Sequence, residues 1–164
     1  MSKQYKFKVG DLVVYPAHGT GKIVAEEKEK YAETEIQVYV ITFNNLDITL
    51  KIPKSKADEV GLRHLTSAKS LSKALDVLSG KRIRSYPNMW NKRIQHYESK
   101  VNSGDVISIA EVIKELHSGI EKNEKSYTEK IIYNDAMEKL AGEYAATHNV
   151  ELQEAVSKIQ TTLN

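Results

Sequence analysis

Leu46-Asp47-Ile48-Thr49-Leu50-Lys51-Ile52-Pro53 and, a short stretch later, Ser67-Ala68-Lys69-Ser70-Leu71-Ser72-Lys73-Ala74-Leu75-Asp76-Val77-Leu78 are written in different periods. The first alternates apolar and polar residues through Ile48, Leu50 and Ile52, which predicts a strand that Pro53 closes. The second sets Leu71, Ala74, Leu75 and Leu78 at helical spacing, with Gly80 placed to end the helix. The chain therefore changes structural language near Leu65.

Towards the N-terminus the β pattern continues. Leu12-Val13-Val14-Tyr15 is an apolar run ended by Pro16 and the Gly19/Gly21 region. Ile23-Val24-Ala25 leads into Glu26–Glu35, which reads as an exposed hairpin tip. Ile36, Val38 and Val40 then alternate with Gln37, Tyr39 and Ile41, and Asn44-Asn45 marks the next turn. Four or five short antiparallel strands make a small curled sheet or barrel. Towards the C-terminus, Trp90, Ile94, Tyr97 and Val101 share one helical face. Ile109, Val112, Ile113, Leu116 and Ile120 form a second stripe. Ile132, Ala136, Met137, Leu140 and Tyr144 form a third, behind a Ser126-x-x-Glu129 capping box. Leu152, Val156 and Ile159 finish with a short helix. The expected fold is α+β: a small antiparallel β barrel or sheet over residues 1–66, then a compact helical domain over 67–164.

Composition narrows the function classes. With 164 residues, 40% hydrophobic and 28% charged, the chain reads as soluble and globular, and no run approaches the roughly 18 apolar residues a spanning helix needs. The absence of cysteine excludes disulfides, thiolate zinc sites and a thiol nucleophile, and makes the cytoplasm the expected address. The net charge of +2 hides an uneven distribution. Residues 81–100 carry Lys81, Arg82, Arg84, Lys92, Arg93 and Lys100 against Glu98 alone, whereas residues 101–164 carry an excess of acids. Such an island fits a polyanion held on one face.

Enzyme signatures are missing. His18, His64, His96, His117 and His148 show no i, i+4 pair, so no metal site is expected. Gly19-Thr20-Gly21-Lys22 lacks both the glycine spacing of a phosphate loop and a following helix, and reads as a turn. The acids on helical segments have the spacing of solvent-facing surfaces, and no catalytic residue or cofactor is expected. Trp90 stands apart. It follows Pro87-Asn88 and precedes Asn91-Lys92-Arg93, so an aromatic among cations meets a helix start that could enter a nucleic-acid groove. Pattern alone, however, favours the other reading, in which Trp90 continues the Ile94/Tyr97/Val101 stripe and ends the core.

Phe7-Lys8-Val9-Gly10-Asp11-Leu12-Val13-Val14-Tyr15-Pro16-Ala17-His18-Gly19 resembles the opening of the bacterial CarD family of transcription regulators, which is shared with transcription-repair coupling factors. Leu50-Lys51-Ile52-Pro53 and Val60-Gly61-Leu62-Arg63 resemble the close of that domain. Pro87-Asn88-Met89-Trp90-Asn91-Lys92-Arg93 resembles the family's DNA-binding segment, and Ser103-Gly104-Asp105-Val106 with Ala110-Glu111-Val112-Ile113 its next helix. The likeness runs in order through residues 5–145.

The resemblance implies a Tudor-like β module that binds the β subunit of RNA polymerase by strand pairing, with Lys51 at a contact position. It also implies a helical domain at promoter DNA near the upstream edge of the melted region, with Trp90 as a minor-groove wedge and Lys92 and Arg93 near phosphates. Gln95 stands where relatives often carry a basic residue. The expected protein is a non-enzymatic regulator that stabilises the open promoter complex, monomeric when free and away from membranes. The rival reading is a protein-interaction adaptor that does not bind DNA. Residues 146–164 are given no role.

Overall fold

A computed structural model describes residues 6–43, 46–80 and 89–164. The expected Asn44-Asn45 turn and the Pro87-Asn88 approach to Trp90 lie outside the described residues, as do Lys81, Arg82 and Arg84. The chain divides into two compact units, Met1–Leu65 and Thr66–Asn164. The first is an antiparallel five-stranded sheet and the second contains five helices among the described residues, an α+β layout.

The sheet is built from β1 (Leu12–Tyr15), β2 (Gly19–Tyr31), β3 (Thr34–Phe43), β4 (Leu46–Pro53) and β5 (Arg63–His64), in the order β4-β3-β2-β1-β5. A 3-10 turn at Lys54–Lys56 follows β4. One face buries Phe7, Val13, Ile23, Tyr39, Ile41, Phe43 and Ile52, closed by Ala57 and Leu62. Phe7 meets Tyr39 edge-on at 5.9 Å, and the buried Tyr39 hydroxyl donates to the Phe7 carbonyl at 3.2 Å. Gly21 is required by close approach, because a Cβ there would lie 2.7 Å from the Thr42 carbonyl oxygen and 2.9 Å from the Phe43 ring. The Gly19–Lys22 segment is accordingly strand, paired with β1 through Val13↔Gly21 and Tyr15↔Gly19.

Two expectations about this unit change in detail. Glu26–Glu35 is not a broad tip: β2 runs on to Tyr31, β3 starts at Thr34, and Ala32-Glu33 alone connects them, with Ala32 at φ 55°. These arms carry few apolar residues because they are mostly exposed, and the backbone ladder from Ala25↔Val40 to Tyr31↔Thr34 holds them together. The second change is a bulge between Ile23 and Ala25, which turns Val24 outwards although it continues an apolar run.

The helices are α1 (Ala68–Ser79), α2 (Trp90–Asn102), α3 (Val106–Glu121), α4 (Tyr127–His148) and α5 (Leu152–Leu163). Their starts follow local chemistry. Ser67 Oγ accepts from Ser70 N at 3.1 Å, Asp105 accepts from Ser108 N, and Ser126 and Glu129 form the expected capping box. Helix α3 packs against α1, α2 and α4, which is why Ile109, Val112, Ile113 and Leu116 are all buried.

Three expectations about the helical unit are corrected. Trp90 does not complete its stripe: Ile94, Tyr97 and Val101 are buried, but Trp90 is the first residue of α2 and is 47% exposed. The last helix buries Ala155, Ile159 and Leu163 rather than Leu152, which is exposed. It packs against α1 and α4, so the C-terminal residues belong to the core. Finally, Glu115, Glu129 and Glu143 are buried instead of solvent-facing. Charge of this kind enters an interior only with partners, and those partners shape the site below.

Candidate functional site

In the helical unit, the first turn of α2 carries Trp90 and Lys92, both exposed, with Met89 61% exposed just before them. Met89 provides no side-chain cap, and the first turn holds no acidic residue. The backbone N–H groups at this end and the helix dipole therefore favour an anion. Backbone donors, a cation and a large aromatic are what a phosphate-lined groove can engage.

Arg93 is turned differently from Lys92. Its side chain is only 23% exposed, and its Nε lies 3.7 Å from Glu129 Oε2 on α4. Lys125 Nζ approaches the same oxygen at 3.5 Å. The other oxygen, Oε1, accepts from Ser126 N at 3.3 Å and from Ser126 Oγ at 3.0 Å. One turn along α2, the Tyr97 hydroxyl bonds to Glu115 of α3, and burial first, then this carboxylate, pushes the phenol well above its ordinary range. Lys100 pairs with Glu111, a second tie from α2 to α3. Towards the other end of α4, Glu143 accepts from Thr66 N at 2.8 Å.

The β unit presents a different arrangement. Strand β4 is an edge, paired on one side to β3. Lys51 lies opposite Val40 and reaches over β3, so that Nζ sits 2.7 Å from Glu29 Oε1 and 3.1 Å from Glu27 Oε2 of β2. The hydrogen bond to Glu29, then that to Glu27, holds the ammonium proton more tightly than usual. The same bond, then one from Tyr31, holds the Glu29 carboxyl below its ordinary value. At the opposite edge, Asp11 accepts from Lys8 N at 3.0 Å and meets His64 Nε2 at 3.2 Å.

The residues anticipated from the sequence thus fall into two sets. Trp90, Lys92 and Arg93 share one helical turn, and Lys51 belongs to the sheet. Sequence reasoning missed the partners. Glu27 and Glu29 stand two apart on one face of β2, a signal hidden by reading them as a hairpin tip. Glu129 was legible as a cap but not as the counter-ion of Arg93. No group of three His, Cys, Asp or Glu among the described residues could hold a metal. Nor is any helix among them long and apolar enough to cross a membrane.

The described residues thus form a small antiparallel β module followed by a helical unit with an exposed aromatic helix start. Comparison with known families makes this specific. The description "CarD, C-terminal domain" matches residues 73–160 and "CarD-like/TRCF RID domain" matches residues 7–66. The chain belongs to the CarD family of transcription regulators, which is not an enzyme class. A protein of Bacillus subtilis (strain 168), described as "Putative transcription factor YdeB", is 30% identical over 138 residues, covering 84% of this chain and 89% of that relative.

Proposed function

We propose that the protein binds the β subunit of RNA polymerase through the β4 edge and Lys51, and promoter DNA through the start of α2. Trp90 would wedge into the minor groove at the upstream edge of the melted region, stabilising the open complex. The observation that carries this reading is the exposure of Trp90 at an uncapped helix start beside the exposed Lys92. A wedge favours the open state only by its differential affinity for the two states. About 1.4 kcal/mol of difference shifts the ratio tenfold, within reach of one inserted aromatic and a few phosphate contacts. The near-neutral net charge makes free DNA a poor ligand, so polymerase would supply the effective concentration. At the sheet, β4 offers backbone groups for strand addition, and Lys51 offers selectivity.

Photo-crosslinking in a polymerase–promoter complex tests both halves. A label at position 90 is expected to capture DNA at the upstream edge of the melted region, and one at position 51 to capture the β subunit. Capture of protein alone from position 90 would replace the wedge with the adaptor reading.

A further inference from the structure

We propose that Glu129 and Arg93 form a buried anchor that holds the first turn of α2, and that Arg93 is a positioning residue for Trp90 rather than a phosphate contact. The inference rests on the wedge reading of Trp90 and assigns its support. Arg93 sits three residues after Trp90, one helical turn along. The start of α2 lacks a side-chain cap, so packing has to hold it. Ile94 supplies the apolar part of that packing and Arg93 the polar part.

Glu129 is well suited to the task. Its side chain is 4% exposed, and Ser126 fixes Oε1, which leaves Oε2 presented to Arg93 and Lys125. Arg93 Nε and Glu129 Oε2 are both buried, and at 3.7 Å neither has a hydrogen-bond partner among the described residues. Charge therefore holds this contact; removing Arg93 leaves the buried Glu129 with Lys125 as its remaining cation, and removing the Glu129 charge leaves the Arg93 Nε without its counter-ion. With its Nε buried against Glu129, Arg93 offers less of its charge to DNA than a fully exposed cation would. Lys92, its exposed neighbour, is left as the phosphate ligand of the turn.

The test uses the full chain, in which Trp90 is the only tryptophan and reports its own mobility. Glu129→Gln keeps the capping box, which accepts either residue, and removes only the charge. Glu129→Gln and Arg93→Gln should each lower Trp90 anisotropy and shorten open-complex lifetime several-fold, with Arg93→Lys recovering most of both. Glu143→Gln, at a buried glutamate bonded to Thr66 instead, should leave Trp90 anisotropy unchanged; an equal loss there would reduce the effect to general loosening and overturn the proposal. Affinity for a polymerase–promoter complex across a salt series supplies the second readout. Arg93→Gln should leave the salt slope unchanged and Lys92→Gln should reduce it by about 1. A slope reduced by Arg93→Gln with Trp90 anisotropy intact would make Arg93 a phosphate contact. Trp90→Ala, run in parallel, separates the two readings: an unchanged lifetime there defeats the wedge, while the anisotropy of the other variants still decides the anchor.

Discussion

Lys51 and Glu129 are each the centre of two ion pairs, and they are opposite in almost every other respect. Lys51 is a cation between two carboxylates on an open sheet face, its side chain 48% exposed. Glu129 is a carboxylate between two cations inside a helical unit, 4% exposed. An exposed cluster is screened by salt and can exchange its partners with little loss. A buried one resists change, since removing one member of such a pair typically costs about 3–5 kcal/mol. The contrast is one of placement: the β unit carries its charge cluster on an exposed face, and the helical unit carries its own beneath the first turn of α2.

The contrast can be broken most severely at Gly21. If the β unit depends on close packing rather than on its charges, Gly21→Ala should destabilise it by about 3 kcal/mol, because the blocking atom is a backbone oxygen. Hydrogen exchange followed residue by residue should show the loss within residues 6–65, with the helical residues unaffected. Protection spared at Tyr39 and Ile41 would mean that the strands part more easily than this packing implies.

Lys51→Glu comes next. It would place three carboxylates together on an exposed face, which the fold should tolerate, but it reverses the charge that the proposed interface would offer to the polymerase. Affinity for the isolated β-subunit lobe should fall on the order of a hundredfold. A folded variant retained as well as the parent in a pull-down would remove Lys51 from the interface.

Trp90→Ala sharpens the other side. Truncating a core tryptophan costs about 3–5 kcal/mol, whereas a side chain this exposed should cost little in a thermal melt. Open-complex lifetime should nonetheless shorten about tenfold if the ring wedges into melted DNA. A large fall in melting temperature would return Trp90 to the core.

The smallest effect expected is a difference in pH tolerance. Burial, then Glu121, pushes the Tyr133 hydroxyl up to about 12. The folded helical unit keeps a proton that the unfolded chain releases near the ordinary phenol value of 10.0, so its stability is full below that value and declines as pH rises towards about 12. In the β unit, the Lys8 N–H bond, then His64, holds the Asp11 carboxyl below 3.8. That contribution is present above 3.8 and is lost as pH falls through the lowered value. Glu29 also raises the Tyr31 phenol, but this contact is open to solvent and adds little on the alkaline side. Amide exchange should therefore quicken first in the β unit on acidification and first in the helical unit on alkalisation; the reverse order would show that other groups dominate.

Period and punctuation were the parts of this protein most legible from the chain. Alternation through Ile48, Leu50 and Ile52, Ser67 ahead of α1 and Ser126-x-x-Glu129 ahead of α4 each concern neighbours within a few residues, where backbone geometry decides the outcome. Glu26–Glu35 is the exposed hairpin its charge pattern predicts, but how far its strands run is not legible, because strands beyond a core need no apolar face and the ladder that defines them is not written in hydrophobicity. In the last helix Ile159 is buried and Val156 packs against the core as the stripe predicts, but Leu152 is exposed and Ala155 takes the buried place, because close packing against α1 and α4 uses the smaller residue.

By itself, then, the sequence determined the α+β order of elements, the change of period near Leu65, the caps and the family, all of which rest on local patterns or on strings of adjacent residues. Tertiary structure alone decided that Trp90 leaves its stripe, that Arg93 turns towards Glu129 while Lys92 remains outside, and that Lys51 lies between Glu27 and Glu29. Burial and charge pairing depend on which distant segments meet, and Arg93 with Glu129 or Lys51 with Glu29 are brought together only when helices pack and strands register.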